Sequence, residues 1–429
     1  MADSIFALSS GAPPAAIAII RISGPAAGAA LGALAGDLPP PRRASVRLLI
    51  DPRNGEPLDR ALLLWFPGPD TATGEDLAEL HCHGGRAVIA ALESALGRIS
   101  GLRRAEAGEF TRRAFANGRM DLNIVEGLSD LLTAETEQQR RSAMMMAEGH
   151  FSQRIEQWRR ELLKLAAMAE AALDFSDEDD VPDADIEMQI GGAVSALAAE
   201  VGRQLEAPSA ERLRDGIRVV LAGPPNAGKS TLLNALVGRD AAIVSDIAGT
   251  TRDRIEVPAA LGGTAFLFTD TAGLRDQTDD AIEAIGIDRA RAALDGADVI
   301  IWLGAPEEAP DDHRTILVAA QCDRIDHEEF HPGIRVAAPT GQGMDVLVQT
   351  IQDRANAILP GPSDYALHDR QRRGVAGLHE HLIGVNRERD MLIIAEELRL
   401  ARKVIDVLTG RAGTEDMLDQ LFSGFCIGK

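Results

Sequence analysis

Cysteine is nearly missing from this sequence of 429 residues: Cys82, Cys322 and Cys426 are the full set, with no CxxC pair and no metal-ligand spacing. That usage excludes a disulfide framework and a structural zinc site, and fits a reducing compartment. Basic residues are scarce too, 44 Lys and Arg against 66 Asp and Glu, for a formal net charge of −22. Such a field repels polyanions, so a nucleic acid partner would have to meet a local basic patch or a second protein. The pairs Arg103-Arg104, Arg112-Arg113 and Arg140-Arg141 are the local candidates. No run of about 18 apolar residues occurs, which leaves no membrane-spanning helix. Met1 to Leu8 has neither the basic start nor the long apolar core of a secretory signal. The expectation is a cytoplasmic protein without membrane contact.

What is present is ample apolar residue, 45% of the chain, and a length that calls for two or three domains. Residues 1–118 mix short apolar runs, Ala16 to Ile22 and Ala61 to Phe66, with Gly/Pro punctuation and a helical stretch from Gly84 to Leu96, the texture of a small α+β domain. From 119 to 213 the period becomes helical: Ile155, Trp158, Leu162, Leu165, Ala169 and Leu173 step by three and four along one face, as core positions of a bundle. The acidic segment Asp174 to Asp185 interrupts it and reads as a solvated loop, since it lacks the glycine and distal glutamate of a calcium loop. Residues 214–360 alternate strand and helix signals, starting with the buried strand Ile217 to Ala222, as in a doubly wound α/β domain. After Pro360-Gly361-Pro362 the helical stripe returns over 361–429, with Ile394, Leu398, Ala401, Ile405 and Leu408. The fold class expected is multidomain α/β: an N-terminal α+β domain and a discontinuous α-helical bundle into which a P-loop domain is inserted.

The phosphate motif is Gly223-Pro224-Pro225-Asn226-Ala227-Gly228-Lys229-Ser230, a GxxxxGKS run between an apolar strand and the helical Thr231 to Val237. Its glycines let backbone N–H groups curl around phosphate oxygens at a helix N-terminus; Lys229 reaches the β- and γ-phosphates and Ser230 offers a hydroxyl to Mg2+. Asp270-Thr271-Ala272-Gly273 follows the strand Ala265 to Thr269, where a carboxylate serves the magnesium shell and the Gly273 N–H senses the γ-phosphate. Between them Ser245-Asp246-Ile247-Ala248-Gly249-Thr250-Thr251 suits a switch loop, with Thr251 as a second Mg2+ ligand. The base reader is eroded. After the strand Thr315 to Ala319 comes Ala320-Gln321-Cys322-Asp323 in place of Asn-Lys-x-Asp. Asp323 still accepts from guanine N1–H and the 2-amino group, a pattern adenine does not offer. The loop Ala337 to Gly341 also lacks the usual serine.

The switch and strand motifs, together with Asp3 to Leu8, Arg21-Ile22-Ser23-Gly24-Pro25, Thr73-Gly74-Glu75-Asp76, His83-Gly84-Gly85, Gly108 to Phe115, Asn117 to Leu122 and Phe425-Cys426-Ile427-Gly428-Lys429, resemble one branch nearly end to end. It is the MnmE (TrmE) family of tRNA wobble-uridine modification GTPases, within the TrmE-Era-EngA-like P-loop GTPases. The resemblance implies an N-terminal folate-binding domain that forms a homodimer, a helical domain in two parts, and an inserted G domain. It implies an FAD-containing MnmG-type partner in a heterotetramer, tRNA as substrate, and a tetrahydrofolate derivative, the 5-formyl or methylene form, as one-carbon donor. Folate contacts carried over from the family fall on Arg21, Glu79, Arg119 and Lys429, and the family's C-terminal cysteine on Cys426, a candidate for chemistry. The resemblance also implies K+-activated GTP hydrolysis: Asn226 with Ser245, Ile247 and Thr250 around the cation, and Glu283 orienting the attacking water. His81, Cys82 and His83 alternate but lack a third metal ligand, and read as structural. Two alternatives share many of these motifs: a regulatory GTPase switch without modification activity, and a folate-binding scaffold whose G domain is degenerate.

Overall fold

The computed structural model describes residues 3–174, 183–206, 210–238, 256–270, 291–324, 332–361, 365–412 and 415–428. They fall into two units, Met1–Ser129 with Thr409–Lys429, and Asp130–Leu408.

In the first unit, strong alternation along the strands builds a six-stranded sheet with two different faces. Its strands are β1 (Ser4–Leu8), β2 (Ala15–Ser23), β3 (Ser45–Ile50), β4 (Pro57–Phe66), β5 (Leu77–Gly84) and β6 (Leu102–Arg104), in the order β3-β4-β5-β2-β1-β6. All neighbours are antiparallel except β1 and β6. Ala18, Ile20 and Ile22 of β2 join Leu63 and Leu80 beneath helices Ala27–Ala35 and Arg86–Leu96, forming one core. The period of two sends Arg21 to the other face, where Phe110 of helix Glu109–Ala116 packs with Ile5, Ala7 and Ala105. The stretch read from sequence as part of the later helical run, 361–429, is divided here. Its last residues belong to this unit, with Phe422 and Phe425 buried beside Val125.

The second unit holds the bundle and the α/β module. Helices His150–Asp174, Asp183–Glu206, Asp369–Arg387 and Met391–Leu408 share a core that includes Ile155, Trp158, Val194, Leu378 and Leu398, so segments before and after the α/β module close one bundle. The expected stripe holds to Ala169; in the last turn Ala172 is buried and Leu173 only half so, because a helix of 3.6 residues per turn drifts around its own face. The module's sheet is β7 (Ile217–Ala222), β8 (Glu256–Leu261), β9 (Thr264–Asp270), β10 (Val299–Trp302), β11 (Thr315–Ala319) and β12 (Ile334–Arg335), in the order β12-β11-β10-β7-β9-β8. Only the β8 and β9 pair is antiparallel. Central β7 is apolar without alternation because both faces are covered: Val219 and Leu221 enter one cluster, Val220 and Ala222 another. Among the described residues no helix is long and apolar enough to cross a membrane.

Candidate functional site

Parallel pairing of β7 with β9, from Ile217 opposite Phe266 to Leu221 opposite Asp270, brings the ends of both strands to one edge of the sheet. Ligands of doubly wound folds bind at such carboxyl edges. From β7 the chain turns through Gly223 (φ +142°), Asn226 (φ +62°) and Gly228 (φ +91°) into helix Lys229–Val237. These left-handed positions curl the loop so that N–H groups of the first helical turn face one spot. At Gly223 a side chain is excluded outright, since a Cβ would lie 2.9 Å from the Leu303 backbone. Lys229 is 5% exposed and its ammonium donates to the carbonyls of Gly223 (3.1 Å) and Pro224 (2.8 Å), which fixes its charge over the loop. The Ser230 hydroxyl donates to Asp270 Oδ2 at 2.5 Å. Two hard oxygen donors this close fit a Mg2+ ion, which keeps several waters and takes few protein ligands. Ala227 and Thr231 flank this group on the loop and on the first turn of the helix.

At the base end, β11 leads into Ala320-Gln321-Cys322-Asp323, and Asp323 is exposed beyond it. Gln321, where a lysine is usual, sits at φ +59° and its amide donates to the Asn226 carbonyl at 3.4 Å. It thus spans from the base loop to the phosphate loop, a contact that the sequence did not reveal. Ser245, Asp246, Ile247, Ala248, Gly249, Thr250, Thr251, Thr271, Ala272, Gly273, Glu283 and Lys429 lie outside the described residues.

In the first unit Arg21 and Glu79, on adjacent strands and directly opposed, form an ion pair at 2.8 Å. Read singly they are surface charges; strand pairing makes them one half-buried group. Arg21 also lies over the Phe110 ring, 5.9 Å from its centroid, a stacking partner that was not picked out from sequence. Burial works to raise the Glu79 pKa, but the hydrogen bond and charge of Arg21, with His81 at 3.1 Å, outweigh it and hold the carboxyl below its ordinary value. Arg119 pairs instead with Asp70 at 2.9 Å, both exposed. A fork-shaped cation, a carboxylate and an aromatic face fit a flat, polar heterocycle such as a pterin. Cys426 is exposed, yet its backbone is pinned: Ile427 bridges to Ala107 and the Gly108 N–H reaches the Cys426 carbonyl at 3.4 Å. Cys82 is buried, and burial with the nearby Asp59 carboxylate pushes its thiol up to about 11. His81 and His83 bond to Glu79 and Asp59, and no group of three metal-ligating side chains forms among the described residues.

Each arginine of the three pairs offered as basic patches meets a carboxylate, Arg140 and Arg141 sharing a single one. Arg103 and Arg113 share Asp3 and Glu109, Arg104 meets Glu93, Arg112 meets Asp419, and Arg140 and Arg141 both meet Glu137.

Two family models match, the GTP-binding protein TrmE N-terminus over residues 4–119 and the MnmE helical domain over residues 122–426. The chain belongs to the MnmE family. A tRNA modification GTPase MnmE of Rhizorhabdus wittichii is 59% identical over 429 residues, covering 100% of this chain and 97% of the relative. Another, from Erythrobacter litoralis, is 56% identical and covers both chains fully. Both matches run over the length of chain that carries the phosphate site and the Arg21 and Glu79 pair.

Proposed function

We propose that this chain is a K+-activated GTPase of tRNA modification. In this reading it works as a cytoplasmic homodimer with an FAD-containing MnmG-type subunit, in a heterotetramer. The product is an aminomethyl or carboxymethylaminomethyl group on C5 of the wobble uridine, position 34, of certain tRNAs. The domains would be 1–118 for folate binding and dimerisation, 119–213 and 361–429 for the helical domain, and 214–360 for the G domain. The observation that carries the reading is the meeting of Lys229, Ser230 and Asp270 at the N-terminus of helix Lys229–Val237.

Backbone N–H groups of 226–231 and the Lys229 ammonium hold the β- and γ-phosphates. Ser230 and Thr251 would hold Mg2+, with Asp270, bonded to Ser230, serving the same ion. Asn226, Ser245, Ile247 and Thr250 would hold K+, whose charge would serve where an arginine finger acts in other GTPases. Glu283 orients the attacking water, and Asp246, Ala248 and Gly249 belong to the switch loop. Thr271, Ala272 and the Gly273 N–H read the γ-phosphate, and Asp323 reads guanine. Arg21, Glu79, Arg119 and Lys429 hold a tetrahydrofolate, the 5-formyl or methylene derivative, which supplies the one-carbon unit, and Cys426 lies on the exposed side of a pinned tail. The test is turnover of GTP and ATP by the full chain in KCl and in NaCl at equal ionic strength. GTP-selective turnover stimulated by potassium is expected; equal rates in both salts remove the cation from the mechanism. Ala320 and Gln321 favour one rival, a folate-binding scaffold with a degenerate G domain, and tetrahydrofolate binding without GTP binding or turnover selects it.

A further inference from the structure

The bundle and the α/β module have separate apolar cores, and helix Glu137–Ala147 bridges them with polar side chains. Gln139 closes a capping box with Thr136: its Oε1 accepts from the N–H groups of Glu135 (2.8 Å) and Thr136 (2.9 Å), while Thr136 Oγ1 accepts from Gln139 N. A glutamate would cap equally well. What the amide adds is a donor: Nε2 reaches the carbonyls of Leu213 (3.0 Å) and Arg214 (3.1 Å), on the stretch leading into β7. Next to it, the Thr264 hydroxyl at the start of β9 donates to Gln138 Oε1 at 3.0 Å. At the same level Gly216 (φ +87°) lets the entry to β7 run against the Ala265 backbone, where a Cβ would stand 3.3 Å from the carbonyl oxygen. One helix of the bundle therefore holds the roots of the two paired strands whose tips carry Gly223 and Asp270. A cleft of about 520 Å3 lined by Glu137, Gln138, Arg141, Thr264 and Asn356 lies alongside, so hydrogen bonds rather than close packing make the link there.

We propose that Gln139, supported by Gln138, is a positioning residue for nucleotide turnover: it sets the relative depth of β7 and β9, and with it the spacing of the phosphate loop from Asp270. The proposal rests on the GTPase reading. Hydrogen-bonded neighbouring strands transmit a displacement at the root to the tip, and reaction geometry is sensitive to shifts below an ångström. By linkage, nucleotide at the tip must also bias the contacts at the root.

The test uses the full chain carrying Gln139→Glu, which keeps both capping contacts and replaces the donor to Leu213 and Arg214 with a carboxylate oxygen. A roughly tenfold fall in GTP kcat is expected, with KM changed less than about threefold and the melting temperature within about 2 °C of wild type. Amide hydrogen exchange gives the second readout. A non-hydrolysable GTP analogue should slow exchange at 223–230 and at 135–141 in the wild type, and at 223–230 alone in the variant. Wild-type kcat in the variant, or slowing confined to 223–230 in the wild type, overturns the positioning role and leaves the GTPase reading intact. No slowing at 223–230 in the wild type overturns both. Should Gln139→Glu lower the melting temperature strongly, Thr264→Val decides: the role predicts lower kcat at unchanged KM, and unaltered kcat overturns it.

Discussion

The two candidate sites are built by opposite means. The phosphate site is made mostly of backbone, curled by Gly223 and Gly228 and completed by Lys229, Ser230 and Asp270. The Arg21 and Glu79 site is made of side chains that the sheet register sets face to face. A backbone site tolerates little change, because the conformation itself is the binding group. A side-chain site can trade members, and the base end of the nucleotide site shows the same freedom, with Gln321 spanning to the phosphate loop where a lysine is usual. Conformation is what the first kind of site protects, and pairing is what the second kind needs.

That contrast is sharpened most strongly by Lys229→Ala, which should lower GTP turnover by about 10³-fold, since a preorganised charge at the transferring phosphoryl group is lost; steady-state kinetics checks it. Gly228→Ala comes next. At φ +91° a Cβ costs about 1–2 kcal/mol, so nucleotide affinity measured by titration should fall by about tenfold. Unchanged affinity in Gly228→Ala would break the distinction between the two kinds of site. Ala320→Asn should move the other way, raising GTP affinity by up to about tenfold through a restored contact to the base.

The side-chain site should respond more mildly. Arg21→Ala removes a half-buried partner worth about 1 kcal/mol, lowering the melting temperature by about 2–4 °C while GTP turnover stays as it was. The pH dependence has a definite sign. The folded-state pKa of Glu79 lies below its ordinary value of 4.5, so its stabilisation is complete above that value and is lost as pH falls through the lowered one. Melting curves taken downward from pH 5 should therefore show a steeper acid loss in wild type than in Arg21→Ala. Parallel curves would mean that the pair contributes nothing to the first unit.

The strand Ile217–Ala222, the glycine loop and the helix after it were legible because each rests on local chemistry: apolar run, backbone freedom and helix start follow one another directly. The bundle stripes were legible for the same reason, since Ile394, Leu398, Ala401, Ile405 and Leu408 all lie on one helix and are all buried. By contrast, nothing near Arg21 in sequence announces Glu79 or Phe110; they meet through strand register and the packing of helix Glu109–Ala116. Arg104 and Arg112 looked like parts of basic patches until the fold set Glu93 and Asp419 against them. Gln139 reads as an ordinary capping residue until Leu213 and Arg214 come beside its amide. The sequence by itself determined the element types, the apolar faces and the phosphate loop, all properties of residues a few positions apart. Tertiary structure decided which charges are paired, which tail is pinned and which helix holds the roots of β7 and β9, because those contacts join residues that only folding brings within hydrogen-bond reach.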